Sequence, residues 1–333
     1  MTKQFNLIYM AKPSYGGWVA FTVHLALKYG FSLYKIGNKT EQKKCGKPTL
    51  RDFGYGVKYQ NLSIDDASKL PNVLITAIDK KYYKYLDSFK NGTHIVIHDP
   101  TEVKGKSTAP VIKNLPRFNV ITIRKTVKTY LANGINTGKG TKTVKIKSKF
   151  MHHPFYEYPI SNTKKQGAVA TSRIDFDKHT DIILKANNMV NPKNRVAIYG
   201  AKNDLYVYHH IKNKLNLDIE RDYKGKFNKS FKDLNNILGK SKFMVDLSAI
   251  KNDGGGSQYT FLEAIHQGTV LVLNKKWVDN VNTPFINGKN CLVIEDEYDL
   301  AHILKSKHIP TEKIAKNAKK LLKCHIKTDW YNL

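Results

Sequence analysis

Cysteine is scarce in this chain, and acid is scarcer than base. Cys45, Cys291 and Cys324 are few, far apart and without a CxxC pair. Neither a disulfide framework nor a cysteine-pair zinc site is indicated, and a reducing, cytosolic compartment is expected. Long hydrophobic runs are also missing. The longest apolar stretches, 72–78 and 269–273, fall far short of the roughly 18 residues a membrane helix needs, so no span is expected. The opening Met1-Thr2-Lys3-Gln4 and the apolar run from Phe5 to Ala11 are too brief for a secretory signal, lack a cleavage site, and read as a first strand. Neither GxGxxG nor GxxxxGK[ST] occurs, which argues against a Rossmann dehydrogenase and a P-loop enzyme. His152-His153 and His209-His210 have no carboxylate or cysteine at ligand spacing; they read as structural, and no metal site is expected. No repeat of roughly 20–50 residues is visible.

What remains is a folded, very basic chain. Its 333 residues are 41% hydrophobic, enough for two domains of roughly 100–200 residues each. The formal net charge is +29, and it is uneven: residues 1–166 carry 29 Lys+Arg against 9 Asp+Glu, net +20, while residues 167–333 carry net +9. Between Val103 and Tyr156 there is no acidic residue, yet Lys104, Lys106, Arg124, Lys139, Lys142, Lys145 and Lys147 recur through the stretch. A field of one sign over that length calls for an anionic partner or tolerates heavy self-repulsion. A solvated, lysine-biased face is the bland reading, and a polyanion on the first half is the functional one. Nucleic acid suits it best, because each phosphate neutralised releases counterions. An anionic membrane is the weaker choice, since no basic amphipathic helix with an aromatic face stands out.

Alternating apolar runs predict two α/β doubly wound domains. In the first, strands at 5–10, 31–36, 72–77, 94–98 and 120–123 accompany a helix over 18–29 that ends at Gly30. Segments 37–56 and 134–149 read as long polar loops, the second a hairpin. Residues 158–167 read as a linker. In the second domain, strands at 168–171, 195–199, 243–247 and 270–273 alternate with helices at 179–189, 206–215 and 258–267. The expected boundaries are 1–160, 167–310, and a closing helical segment 311–333 returning toward the first domain.

Four places can carry chemistry. The run Asp253-Gly254-Gly255-Gly256-Ser257-Gln258-Tyr259-Thr260-Phe261-Leu262-Glu263 leads from a glycine loop into a helix. Glycines let the backbone approach a phosphate, and the helix start presents N–H groups and positive dipole to it. Glu263, about a turn inside, suits a ribose diol. Arg173 and Lys178 follow the first strand of the second domain, at a carboxyl end where open α/β sheets bind ligands, and suit a leaving pyrophosphate. The Asp175-Phe176-Asp177 between them matches a metal-binding DxD, but a turn with Asp177 as helix cap is the preferred reading. His98-Asp99 ends another apolar strand and can orient or deprotonate a hydroxyl. Ser14-Tyr15-Gly16-Gly17 precedes the first helix and lets a substrate approach the chain.

Taken together, these residues resemble the GT-B glycosyltransferases that retain anomeric configuration. Tyr259-Thr260-Phe261-Leu262-Glu263 with Gly268-Thr269 is similar to the YTxLExxxxGT segment of the phage T4-type DNA α-glucosyltransferases. Ile97-His98-Asp99 resembles their strand ending in His-Asp, Arg173 and Lys178 fall in an R-x4-K segment, and Met10-Ala11 through Gly17 and Phe21 match the first strand and glycine loop. Gly255 stands where many retaining relatives place the first glutamate of an E-x7-E pair. The resemblance implies two Rossmann-like domains facing a central cleft, closing over a UDP-sugar such as UDP-glucose or UDP-arabinose. Arg173 and Lys178 would hold the diphosphate, Glu263 the ribose, and Gly17, Gly255, Gly256, Ser257, Tyr259 and Thr260 the rest of the donor. His98 and Asp99 would serve the reacting centre, with no divalent metal needed for the chemistry. It further implies a monomer acting in a bacteriophage-infected cell on 5-hydroxymethylcytosine in double-stranded DNA, as protection against host restriction. A cell-surface glycan or lipid-linked acceptor is the alternative.

Overall fold

The computed structural model describes residues 3–12, 16–37, 50–104, 106–136, 143–249, 257–280 and 282–333. Two compact units divide the chain: residues 1–156 with 324–333, and residues 157–323.

In the first unit the strands are β1 (Asn6–Met10), β2 (Ser32–Ile36), β3 (Leu50–Gly54), β4 (Val57–Leu62), β5 (Val73–Ile78), β6 (His94–Ile97) and β7 (Asn119–Thr122). They are followed by the small hairpin β8 (Ile135–Asn136) and β9 (Thr143–Val144), and by β10 (Ser148–Phe150). The main sheet runs β10-β7-β6-β5-β1-β2-β4-β3, parallel except where β3 meets β4. β5 and β6 are buried at every residue, which is why they read as continuous apolar runs rather than alternating ones. The helix Gly17–Tyr29 carries the chain from β1 to β2 and stops at Gly30, whose φ of 67° is the left-handed cap that glycine adopts without strain. The chain winds outward from β1 through β2 and β4, then returns to β5 on the other side, so the strand order reverses between β1 and β5.

The expected polar loop over 37–56 is corrected at its end. Residues 50–54 form β3 and pair antiparallel with β4 across Tyr55 and Gly56. Both turn residues have positive φ, 56° and 80°, the two-residue hairpin geometry whose twist suits the flanking strands. The alternation there is weak, and what secures β3 is tertiary: Phe53, fully buried, packs edge-on to Tyr9 and Tyr59.

The second unit holds β11 (Ala168–Ala170), β12 (Val196–Ile198), β13 (Phe243–Asp246), β14 (Val270–Asn274) and β15 (Leu292–Ile294), all parallel in the order β12-β11-β13-β14-β15. Its helices include Thr180–Asn188, Tyr206–Lys214, Phe231–Leu238, Tyr259–His266 and Glu297–Lys305. Ser230 and Asp296 cap the starts of Phe231–Leu238 and Glu297–Lys305 by accepting from first-turn amides. The order reverses between β11 and β13, where a doubly wound sheet opens a crevice at its strand ends. The stretch read as a linker is held on this unit: Tyr158 stacks on Phe231 with centroids 4.2 Å apart, its carbonyl accepts from His266 Nε2 at 2.6 Å, and Gln267 bonds Ser161 and Pro159. The last helix, Thr311–Ile326, starts in the second unit, and from Cys324 onward the chain belongs to the first. There Trp330, fully buried, packs on Phe21 and donates to the His152 carbonyl.

Candidate functional site

β11 and β13 lie side by side at the switch point of the second sheet, and their carboxyl ends deliver one connected polar cluster. Asp246, the last residue of β13, is 2% exposed. Its carboxylate accepts from Ser172 Oγ (2.6 Å), Ser248 N (3.0 Å), Ser248 Oγ and Thr260 Oγ1 (3.2 Å). A buried carboxylate is tolerable only when its lone pairs are so occupied. Lys178 Nζ donates to Ser248 Oγ at 2.7 Å and brings a cation to the same spot. Its side chain is 10% exposed, while that of Arg173 is 60% exposed and is steadied by Asp175 at 3.4 Å and Asp177 at 3.5 Å. Ala170, Ser172, Arg173, Lys178 and Leu247 line a recess at this end of the sheet. Two cations, three hydroxyls and the start of the helix Tyr259–His266 suit an anion with several oxygens.

Asp177 is not the helix cap expected of it. Asp175 accepts from Phe176 N and caps the short turn Phe176–Lys178, whereas Asp177 pairs with Arg173 and Lys178. The turn runs through His179 at a φ of 48° before Thr180–Asn188 begins, so the capping carboxylate falls two residues earlier than spacing suggested.

Gly200, after β12, permits the close approach that shapes this pocket. Its φ is +139°, and a Cβ there would lie 2.2 Å from the Ser172 carbonyl oxygen. Gly200→Ala is therefore expected to push the Ser172–Arg173 segment aside and destabilise the protein by about 2 kcal/mol or more. A melting temperature equal to that of the parent would contradict this.

Glu263 sits on the buried face of Tyr259–His266 and is 7% exposed, so it is not a surface residue. Burial pushes its carboxyl up to about 8 from an ordinary value near 4.5. A raised folded-state pKa favours the folded protein below the unfolded value, and that advantage is lost as pH rises through the folded value. The melting temperature should thus decline between about pH 5 and pH 8, in part through Glu263. Glu263→Gln removes that part, on the order of a few kcal/mol. Parallel pH–melting curves for parent and variant would refute it. Tyr259, largely buried, opens the helix, and Ser257 just before it is half-buried. Gly255 and Gly256 lie outside the described residues.

In the first unit, His98 and Asp99 follow directly on β6. The His98 ring is 8% exposed, packs edge-on to Phe21, and donates Nε2–H to the Thr76 carbonyl at 2.7 Å, leaving its lone pair on Nδ1. Burial lowers it to about 4, so the ring is neutral. Asp99 is more accessible, accepts from Thr101 N at 2.9 Å and lies 3.6 Å from Arg124. Buried Glu102 accepts from Trp18 Nε1 (3.0 Å) and His98 N (3.1 Å), and burial pushes it up to about 8. Trp18, in the first turn of the helix that Gly17 begins, is tied by this bond to the His98 segment.

Of the basic residues, Lys104, Lys145 and Lys147 are exposed, and Lys104 lies over the Tyr130 ring at 4.9 Å. Arg124 turns toward Asp99 with a side chain only 16% exposed. Lys139, Lys142 and the side chain of Lys106 lie outside the described residues. Sequence reasoning missed Ser172, Asp246, Ser248 and Glu102. The available signal was an acid ending an otherwise apolar strand, Phe243-Met244-Val245-Asp246, beside a serine two residues on.

No protein-family profile and no curated protein sequence matches the chain. Solved structures do. An alpha-glucosyltransferase in complex with UDP-glucose and DNA containing an abasic site aligns over 98% of this chain and 96% of its own, with a TM-score of 0.69 and 14% identity. An alpha-glucosyltransferase with UDP and a 13-mer DNA containing a HMU base aligns over the same shares at 0.67 and 16%. Anabaena HepE in complex with UDP-glucose aligns over 95% of this chain and 94% of its own, at 0.63 and 14%. The protein has the GT-B fold of UDP-sugar glycosyltransferases.

Proposed function

We propose that the protein is a retaining glycosyltransferase that moves a sugar from a UDP-sugar, with glucose or a pentose such as arabinose as the sugar, to the hydroxymethyl oxygen of 5-hydroxymethylcytosine in double-stranded phage DNA. One observation carries the donor half of this reading: Ser172, Ser248 and Thr260 bond to Asp246 at the switch point of the second sheet, Lys178 bonds to Ser248, and Arg173 lines the same recess. In transfer the bond from the anomeric carbon to the β-phosphate oxygen breaks, and the hydroxymethyl oxygen bonds that carbon on the same face. Negative charge develops on the departing UDP, where Arg173 and Lys178 neutralise it without a divalent ion. Glu263 receives hydrogen bonds from the ribose, and the segment from Gly255 through Ser257, Tyr259 and Thr260 accommodates the remainder of the donor.

The first unit takes the acceptor. Asp99 and the Nδ1 lone pair of neutral His98 are the groups that orient the hydroxymethyl group or receive its proton. Gly17 leaves the chain open at the first helix start. The surplus +20 of residues 1–166, with Lys104, Lys106, Lys139, Lys142, Lys145 and Lys147, holds the phosphate backbone, while Arg124 stays with Asp99, and the target base leaves the stack to react.

The deciding experiment is mass spectrometry of nucleosides digested from 5-hydroxymethylcytosine DNA after incubation with the protein and a panel of UDP-sugars. The expected result is one anhydro-sugar added to the modified base and none to cytosine in control DNA. No addition with any donor, together with slow UDP-sugar hydrolysis, would keep the nucleotide-sugar reading and move the acceptor to a glycan or lipid-linked substrate.

A further inference from the structure

Three side chains the proposed reaction does not use meet within the first unit. His152 stands just after β10, and Cys324 and His325 end the last helix. One donor atom from each lies within 4.8 Å of the others. His152 is more than 170 residues from the adjacent Cys324 and His325, so no ligand-spacing motif announces them. The two imidazole rings meet edge-on with centroids 5.2 Å apart. His325 is buried and directs Nδ1 at the His153 carbonyl, 3.1 Å away. With that proton donated, Nε2 carries the lone pair, the arrangement in which a carbonyl sets the tautomer of a metal-ligating histidine. The backbone of His152 is fixed in turn by Trp330 Nε1, which donates to its carbonyl at 3.1 Å.

The geometry points to a site for a zinc-class divalent transition metal formed by His152, Cys324 and His325, with water as the fourth ligand. A tetrahedral zinc with bonds of about 2.0–2.1 Å to nitrogen and about 2.3 Å to sulfur sets its ligand atoms roughly 3.3–3.6 Å apart. The ligand atoms, within 4.8 Å of one another, need to close by up to roughly 1.2–1.5 Å to reach that geometry. Two imidazoles and a thiolate select zinc or cobalt over magnesium or calcium, which require oxygen ligands. The thiolate also supplies the negative charge that a site near Lys28 and Lys125 needs. The metal acts as a staple. It joins the segment after β10 to the end of the last helix, and so holds the C-terminal return, whose Trp330 packs on Phe21, which in turn packs on His98.

The test is titration of the full-length, reduced, metal-stripped protein with Co2+ alone, read by absorption, then with Zn2+. One equivalent of Co2+ is expected to give a sulfur-to-cobalt charge-transfer band and tetrahedral d–d bands, both abolished by one equivalent of Zn2+. Cys324→Ser, at an exposed position, should lose the charge-transfer band and weaken binding more than about 100-fold, since loss of an outer-layer partner alone costs about 10–100-fold. The Cys45→Ser/Cys291→Ser double variant should keep the band. Zn2+ at 100 times its Kd should raise the folding equilibrium constant roughly 100-fold in the parent and not in Cys324→Ser. Absence of saturable one-to-one binding, or a band that survives in Cys324→Ser, would overturn the site.

Discussion

Lys178→Ala is expected to lower sugar transfer by about 10²–10³-fold while leaving DNA affinity within about twofold of the parent. Removal of one preorganised group facing charge that develops in a transition state costs that much. Lys178 is placed to act so: its side chain is nearly buried and its ammonium is bonded to Ser248 at 2.7 Å. Arg173→Ala should cost somewhat less, because its guanidinium is more exposed and shared with Asp175 and Asp177, and charge in water is worth less than charge in a dry recess. Single-turnover rates at saturating UDP-sugar separate the two variants from parent, and filter binding on the modified duplex supplies the control. Equal loss of transfer and DNA binding would mean that the cluster organises the fold rather than the leaving group. Lys178→Arg is a further discriminator, since a fork in place of a point charge cannot reproduce the Ser248 bond geometry.

DNA affinity should fall by about 10³–10⁵ between roughly 50 mM and 200 mM salt, as expected for about 6–10 neutralised phosphates. The excess positive charge is concentrated in residues 1–166, and Lys104, Lys145 and Lys147 are exposed there. Each phosphate contact contributes about −0.9 to the slope of log K against log salt, so Lys145→Ala/Lys147→Ala should flatten it by about 2 units and weaken cytosine and 5-hydroxymethylcytosine duplexes alike. Arg124 behaves differently: it is turned toward Asp99, and its removal should act on transfer more than on the salt slope. A slope near zero would rule out a duplex polyanion as the acceptor and favour an uncharged glycan.

Much of the architecture was legible because it rests on local periodicity. β5, β6, β13 and β14 are continuous apolar runs bounded by turn residues, and the helices Gly17–Tyr29 and Tyr259–His266 begin beside glycines or small polar residues. β3 was not legible, because a strand at the edge of a sheet shows little alternation and Phe53 finds its partners only across the fold. The cap, expected at Asp177 and found at Asp175, is two residues off for a related reason: backbone geometry at His179, not residue type, decides where the helix starts.

The sequence by itself determined the two-domain α/β class, the charge asymmetry, and the residue types that suit a nucleotide and its phosphates. Those follow from composition and from spacing within single elements, where side-chain direction is set by the local period. Only the tertiary structure decided that Asp246, Ser172, Ser248 and Thr260 share hydrogen bonds, that Trp18 donates to Glu102, and that His152 meets Cys324 and His325. Each of those groupings joins strand ends or helix ends remote in sequence. Proximity between them is created by the order in which parallel strands are laid into a sheet and by the return of the C-terminal segment, and no local pattern records either.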